Sequence, residues 1–342
     1  MTPVKTSPIC SKGFCSSMPD LLYVVVFLAL AFDYINGFHD TANAIATSVS
    51  TRALKPRVAI MMASVLNFSG AMLSTGVAKT IGGDLVLSPS MVNEQVISAA
   101  LLGAIIWNLL TWWRGIPSSS SHALIGGIIG AVVVSKGGGA LNWLGIEKIV
   151  LSLVLSPILA LMSGFLVMLL LLWVFGRLAP ARLNIGFKRM QLLSAGLMSF
   201  SHGSNDAQKA MGIITLALLS SGQIDTLDVP GWVKFSCAAA MGCGTAVGGW
   251  KIIKTMGGRI VKLEPITGFA SDLNSALVIF TATFLHLPVS TTHVVAGSIM
   301  GVGSVKRVSA VRWGVARSMV FAWFITIPFS ALAGAAIYLL IR

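Results

Sequence analysis

A polar stretch, Asn36-Gly37-Phe38-His39-Asp40-Thr41-Ala42-Asn43-Ala44, lies in the middle of an apolar span, and its position constrains the fold more than any other feature of the chain. A charged side chain at the centre of a bilayer costs about 2.5–3.5 kcal/mol on insertion scales. His39 and Asp40 therefore need partners, water or bound ions at that depth. A second stretch of the same kind, Ser201-His202-Gly203-Ser204-Asn205-Asp206-Ala207-Gln208-Lys209-Ala210, interrupts another apolar span far down the chain. Together they point to one buried polar centre assembled from two distant segments.

Windows at 21–32, 58–78, 150–175 and 320–341 contain the apolar runs that spanning helices need, about 20 residues each. Of the 342 residues 55% are hydrophobic and only 10% charged, which excludes an ordinary soluble domain. No strand-like alternation recurs, so a β-barrel is excluded too. The net charge of +13 would suggest nucleic acid in a soluble chain. Here the basic residues collect in short connectors between apolar spans, which is the positive-inside pattern, and no nucleic-acid partner is expected. Cys10 and Cys15, in a Ser-rich amino-terminal tail, can pair if that tail faces an oxidising compartment, whereas Cys237 and Cys243 read as small packing residues in an apolar helix.

The order of segments predicts a polar tail over 1–19, a first membrane unit over 20–176, a cytoplasmic linker over 177–189 and a second membrane unit over 190–342. The first span is expected to break near Asn36-Gly37 and to resume from 40 to 52, followed by spans at 58–78 and 96–113. A turn over 115–122 leads into a short helix at 123–134, a discontinuous pair, and 147–176 makes the fifth crossing. The linker holds Arg177, Arg182, Lys188 and Arg189 with no acid, which places it inside. In the second unit the expected segments are 190–219, broken at 201–205, then 233–253, 266–285, a second discontinuous element through 288–302, and a last span ending at Arg342.

Five crossings per unit turn the second upside down relative to the first, an inverted-topology repeat. GFHDTANA at 37–44 aligns without gaps on GSNDAQKA at 203–210. Pro117, Ser119, His122, Gly126 and Gly130 also fall on Pro288, Ser290, His293, Gly297 and Gly301 at a constant separation of 171 positions. The fold expected is thus an all-α polytopic membrane protein of two five-crossing inverted repeats, with broken helices and hairpin-like discontinuous segments around a central site.

Interrupted segments at corresponding places in two halves are the best sequence pointer to a transporter's binding site. Ser118, Ser119, Ser120 and Ser121 precede one short helix, and Ser290, Thr291 and Thr292 precede the other. Hydroxyls and free N–H groups at a helix amino terminus attract anions, because the dipole is positive there and the first donors lack partners. Two such termini can hold one tetrahedral oxyanion between them. Asp40, Asn43, Asn205 and Asp206 then offer oxygen ligands or proton acceptors, with Asp40 and Asp206 as candidate cation ligands. His122 and His293 either pin the helix starts or handle protons; Asp33 and Asp272 are either members of the site or structural acids; His286 reads as a packing residue.

At this point the motifs are recognisable. NGFHDTANA at 36–44, SHGSNDAQKAMG at 201–212 and the PSSSSH and PVSTTH turns resemble the Pit-type inorganic phosphate transporter family, in its bacterial branch, over most of residues 20–342. The resemblance implies a multi-pass protein of the bacterial inner (plasma) membrane. It implies secondary transport of inorganic phosphate, in some members as a complex with a divalent cation, coupled to protons in bacterial members and to sodium elsewhere. It also implies a homodimer in membrane lipid, no cofactor and no enzymatic activity. The sodium-coupled branch has Asn-Asp in both signatures; here the first reads His39-Asp40 and the second sets Lys209 opposite Asn43. Histidine titrates near physiological pH, and a lysine ammonium can take a cation's place. The expectation is therefore proton symport by alternating access through His39 and Asp40, with Lys209 and Asp206 completing the coupling site. Sodium coupling and another tetrahedral anion such as sulfate stand as alternatives. An intramembrane hydrolase is disfavoured, since no serine lies in a GxSxG context.

Overall fold

The computed structural model describes residues 18–88, 91–177 and 179–342. The tail expected over 1–19, with Cys10 and Cys15, lies outside the described residues except at its end. Among the described residues twelve α-helices follow in order: α1 (Met18–Ser50), α2 (Pro56–Ala71), α3 (Gly76–Gly83), α4 (Glu94–Arg114), α5 (Ser120–Lys136), α6 (Trp143–Phe175), α7 (Pro180–Ser220), α8 (Gly231–Val247), α9 (Trp250–Lys254), α10 (Pro265–Phe284), α11 (Thr291–Ser304) and α12 (Trp313–Ile341). A single π turn, Thr255–Arg259, continues α9. Among the described residues there is no strand, only an isolated bridge between Val86 and Leu141.

Among the described residues four helices are long and apolar enough to cross a membrane: Leu21–Ser50, Glu94–Arg114, Trp143–Phe175 and Trp313–Ile341. A fifth span results if α2 and α3, bent by 69°, are taken together. α7 has 41 residues, but the polar patch at its centre keeps it out of that group. α5 and α11, at 17 and 14 residues, are too short to cross about 30 Å of hydrocarbon at 1.5 Å per residue. α6 and α12 turn large apolar side chains outward, among them Leu144, Trp173, Phe324 and Leu340. Such faces are stable only against lipid or another apolar surface.

Three expectations are corrected. α1 and α7 are continuous helices through Gly37 and through Ser201 to Asn205, with no break at either patch. The glycines serve close packing instead: a Cβ on Gly37 would run into the Met241 carbonyl of α8, and one on Gly203 into the Asn67 carbonyl of α2. Small residues at such contacts let membrane helices approach backbone to backbone. The linker expected over 177–189 is mostly the start of α7, with Pro180 as its opening residue; Pro is pre-organised for that position, and the Leu, Lys and Arg that follow are good helix formers. Cys243 is exposed, and of the two cysteines on α8 only Cys237 packs in the interior.

Packing contacts recur in exchanged pairs. α1 lies on α8 while α2 lies on α7, and α5 lies on α12 while α6 lies on α11. The glycine contacts repeat the pattern atom for atom. Gly70 faces the Phe200 carbonyl and Gly244 the Tyr34 carbonyl, and Tyr34 and Phe200 are 166 positions apart, as are Asp40 and Asp206. Gly126 and Gly130 abut the carbonyls of Ile327 and Ala331, as Gly297 and Gly301 abut those of Pro157 and Leu161. The helix ends match too. Gly115 closes α4 with φ +68° and His286 closes α10 with φ +58°, 171 positions later. Each is followed by the same backbone bond, Ile116 N–H to Thr111 (2.9 Å) and Leu287 N–H to Ala282 (2.8 Å). His286 thus occupies a position where glycine is the easier residue, and its ring packs where a Cβ of Gly76 would stand.

In the connection between α7 and α8, Asp228 meets Lys79 of α3 at 2.6 Å. Hydrogen bonds from Lys79 and Thr226 hold the Asp228 carboxyl below its ordinary range. Both partners are largely exposed, so the pair adds little stability.

If Gly203 is a packing residue, Gly203→Val should separate α7 from α2 and destabilise the protein by about 1–3 kcal/mol, the usual cost of overpacking. Gly186→Ala, on an exposed part of α7 with nothing within 4 Å of the added carbon, should leave the melting temperature unchanged or slightly raised. Thermal unfolding of the purified protein in detergent compares the two.

Candidate functional site

Extended approach segments containing Pro117 and Pro288 deliver the amino termini of α5 and α11 to the centre of the molecule. Each turn is anchored by a crossing helix. Trp323 Nε1 of α12 donates to the Pro117 carbonyl at 3.2 Å, and Ser152 Oγ of α6 donates to the Pro288 carbonyl at 3.0 Å. Ser119 and Ser290 are the N-caps: their hydroxyl oxygens accept from the backbone N–H of His122 (3.2 Å) and His293 (3.4 Å). The helices therefore start at Ser120 and Thr291, and their first-turn donors face the middles of α1 and α7.

Two carboxylates stand opposite those helix starts. Asp40 lies 2.6 Å from His39 Nδ1 and accepts from the hydroxyls of Ser120 and Thr292, both at 3.4 Å. Asp206 accepts from Lys209 Nζ at 2.7 Å, from the Thr291 hydroxyl at 3.1 Å and from Asn36 Nδ2 at 3.4 Å, with His202 Nε2 at 3.5 Å. Asn43 Nδ2 spans the helix start of α11, donating to Thr292 at 3.0 Å and Thr291 at 3.4 Å. Every one of these side chains is buried, Lys209 completely. Ligand atoms of Asp40, His202 and Asp206 lie within 4.8 Å of one another, a spacing that suits a cation. Two carboxylates beside threonine hydroxyls make an oxygen-rich set, the chemistry of hard cations.

Of the residues singled out in the sequence, Asn43, Ser120, Thr291, Thr292, His39, Asp40, Asp206 and Lys209 converge here. Ser119 and Ser290 instead cap helices. Ser118 donates to Thr111 Oγ1 at 2.8 Å and Ser121 to the Val289 carbonyl at 3.1 Å. Asn205 holds the second turn, donating to Thr283 Oγ1 at 2.9 Å and accepting from Val289 N–H at 3.5 Å. His39 does the same for the first turn, with Nε2 at 3.1 Å from Thr111 Oγ1 and 3.4 Å from Ser118 Oγ. His39 and Asn205 are thus equivalent in place as well as in sequence, 166 positions apart.

Sequence reasoning gave no role to Asn36 or His202, although the same separation of 166 pairs them and each stands four residues before one of the two acids, Asp40 and Asp206. A helical i, i+4 reading from Asp206 would have found His202. His122 and His293 sit behind the helix starts with ring centres 4.6 Å apart, His293 stacked on Trp323 at 3.8 Å. Their helices are pinned by serine caps rather than by imidazole.

The Lys209–Asp206 pair is buried on both sides, so removing one partner strands the other's charge. Lys209→Met should cost about 3–5 kcal/mol of stability, and Asp206→Asn a comparable amount, while the double variant recovers most of the loss. Denaturant or thermal unfolding of the four proteins measures the coupling; additive losses would show that the two groups do not form a pair.

The chain matches the phosphate transporter family over residues 36–334. It is 55% identical over 324 residues to the "Probable low-affinity inorganic phosphate transporter" of Bacillus subtilis (strain 168), covering 94% of this chain and 97% of that protein. A protein of the same description from Rhizobium meliloti (strain 1021) is 47% identical over 321 residues, 93% of this chain and 96% of its own. Among solved structures, one titled "The sodium-dependent phosphate transporter" superposes with a TM-score of 0.86 at 26% identity, covering 94% of this chain and 98% of the other. Family, apolar helices and outward-facing apolar surfaces agree on a multi-pass protein of the bacterial inner membrane. The chain belongs to the phosphate transporter family.

Proposed function

We propose that the protein takes up inorganic phosphate by proton symport, seating the anion between the amino termini of α5 and α11. The observation that carries this reading is the convergence of two capped helix starts on a pair of buried acids. Free first-turn N–H groups, the hydroxyls of Ser120, Thr291 and Thr292, and the Asn43 amide supply the donors that a tetrahedral oxyanion requires. Ser118, Ser119, Ser121, Ser290 and Asn205 shape that seat from behind.

The same geometry makes coupling obligatory. Two like unit charges 4 Å apart repel by about 4 kcal/mol at an effective dielectric of 20. Phosphate beside Asp40 and Asp206 is therefore admitted only with positive charge or protons. Lys209 supplies one such charge, paired here with Asp206, and the His39–Asp40 pair is where a proton is taken up and released. Alternating access fits two five-helix units of opposite orientation, α1–α6 and α7–α12 with α3 and α9 as short appendages; the exchanged packing pairs support this.

Sodium coupling is the second reading, favoured by the cluster of Asp40, His202 and Asp206 and by the printed name of the structural neighbour. A divalent cation arriving with phosphate would meet the same three groups. Helix starts and hydroxyls do not by themselves separate phosphate from sulfate, so the family carries that choice.

Radiolabelled phosphate uptake into proteoliposomes tests the proposal. An imposed inward proton gradient should drive accumulation that excess sulfate leaves intact; uptake driven by sodium and indifferent to pH would overturn proton symport. Asp40→Asn and Asp206→Asn should each abolish gradient-driven uptake in protein that still reconstitutes, and normal uptake in both would remove the acids from the mechanism.

A further inference from the structure

Asp33 stands on α1 two turns before Asp40 and is wholly buried, and neither of its carboxyl oxygens has a hydrogen-bond partner among the described residues. The other interior acids are held. Asp40 and Asp206 have the partners described above, and Asp272 accepts from the Thr47 hydroxyl. Asn36, one turn from Asp33, gives its Nδ2 to Asp206 and leaves its own Oδ1 unpartnered. A pocket this poor in donors accommodates a neutral carboxyl far better than an ionised one.

The groups that face Asp33 are few. Asp206 and Lys209 act on it electrostatically from α7, and it acts in turn on the buried Cys237 thiol of α8. α7 adds His202 beside Asp206, α8 carries charge only at Lys234, α4 only at its ends, Glu94 and Arg114, and α2 only at Arg57. One ammonium is therefore set among three carboxyls, Asp33, Asp40 and Asp206. Ionised together, they would leave the interior negative before any anion entered.

We propose that Asp33 is a second proton site of the transport cycle, loaded with phosphate and emptied when phosphate leaves; this rests on the proton-symport reading. A proton from water on the outer side converts the Asp33 carboxylate to the acid. Lys209 is then free to pair with Asp206 alone, in the arrangement seen here, and the phosphate seat is relieved of one negative charge. When the anion departs inward the proton is given to water on that side, and the carboxylate competes with Asp206 for the ammonium. Lysine suits this exchange, since its charge rides on a flexible four-carbon stem. The half-sites differ at this point: the residue equivalent to Asp33 in the second unit, 166 positions later, is Ser199.

The experiment counts protons per phosphate in proteoliposomes, using an entrapped pH dye beside radiolabelled phosphate, for the unaltered protein and for Asp33→Asn, Asp33→Glu and Asp33→Ser. Asp33→Asn should carry one proton fewer per phosphate and respond less steeply to the pH gradient, while phosphate-for-phosphate exchange persists. Asp33→Glu should restore the count. Infrared difference spectra on adding phosphate should show a carboxylic-acid carbonyl band that Asp33→Asn lacks. An unchanged proton count in Asp33→Asn, the absence of that band from the unaltered protein, or loss of exchange in all three variants would overturn the proposal. Failure of the underlying reading looks different: the unaltered protein would then follow a sodium gradient and ignore pH.

Discussion

Two carboxylates at membrane depth, Asp40 and Asp206, set the terms for everything built around them. Each needs donors in a region where water is scarce, and neither α1 nor α7 can supply them from its own backbone without unwinding. The fold meets the need by bringing other helices' starts to the acids. Ser120 comes from α5, Thr291 and Thr292 from α11, and Lys209 reaches back along α7. Because the donors come from helix termini, α1 and α7 stay whole. The half-length of α5 and α11 then follows, since a helix whose amino terminus must lie at the site cannot also span the bilayer.

The stabilisation of the centre depends on packing some distance away. The turns before α5 and α11 are held from outside by Trp323 and Ser152 and from inside by His39 and Asn205. Gly126, Gly130, Gly297 and Gly301 let those two helices lie directly against the backbones of α12 and α6. A side chain at any of them would displace a helix start, and with it the hydroxyls, from the acids. The placing of donors on the acids and the close packing are in this sense one constraint, and the same glycine contacts recur in both halves.

Much of this was legible in the sequence. The separations of 166 and 171 positions identified the equivalent residues, and the structure places those residues in matching contacts. The serine-rich turns were legible as helix starts because cap chemistry is local. What was not legible depended on partners distant in sequence. Gly37 and Gly203 look the same whether a helix breaks or merely touches a neighbour; only the carbonyls of Met241 and Asn67 decide it. In the run Ser118 to Ser121 the side chain that reaches Asp40 is chosen by where the cap falls. That register puts Ser119 on its own helix, Ser120 on the acid and Ser121 on the opposite turn. His202 went unassigned because its role is to stand beside Asp206, a contact visible only once the helix is known to continue through Gly203.

The centre is symmetric in its frame and asymmetric in its charge, and the asymmetry carries chemical meaning. His39 answers Asn205, Asn43 answers Lys209, Asn36 answers His202 and Asp33 answers Ser199, yet Asp40 and Asp206 are shared. A frame repeated in both halves offers the acids equivalent surroundings from either unit, which is what the proposed anion seat between two helix starts requires. If the side chains were equally symmetric, each acid would need the same external cation. Replacing one neutral amide by a buried ammonium satisfies Asp206 internally and leaves Asp40, with its imidazole neighbour, as the acid still dependent on what arrives from solution. On the proposed mechanism, the ion that accompanies the substrate is in this way decided by a few substitutions in the charge set, without altering the scaffold that holds them.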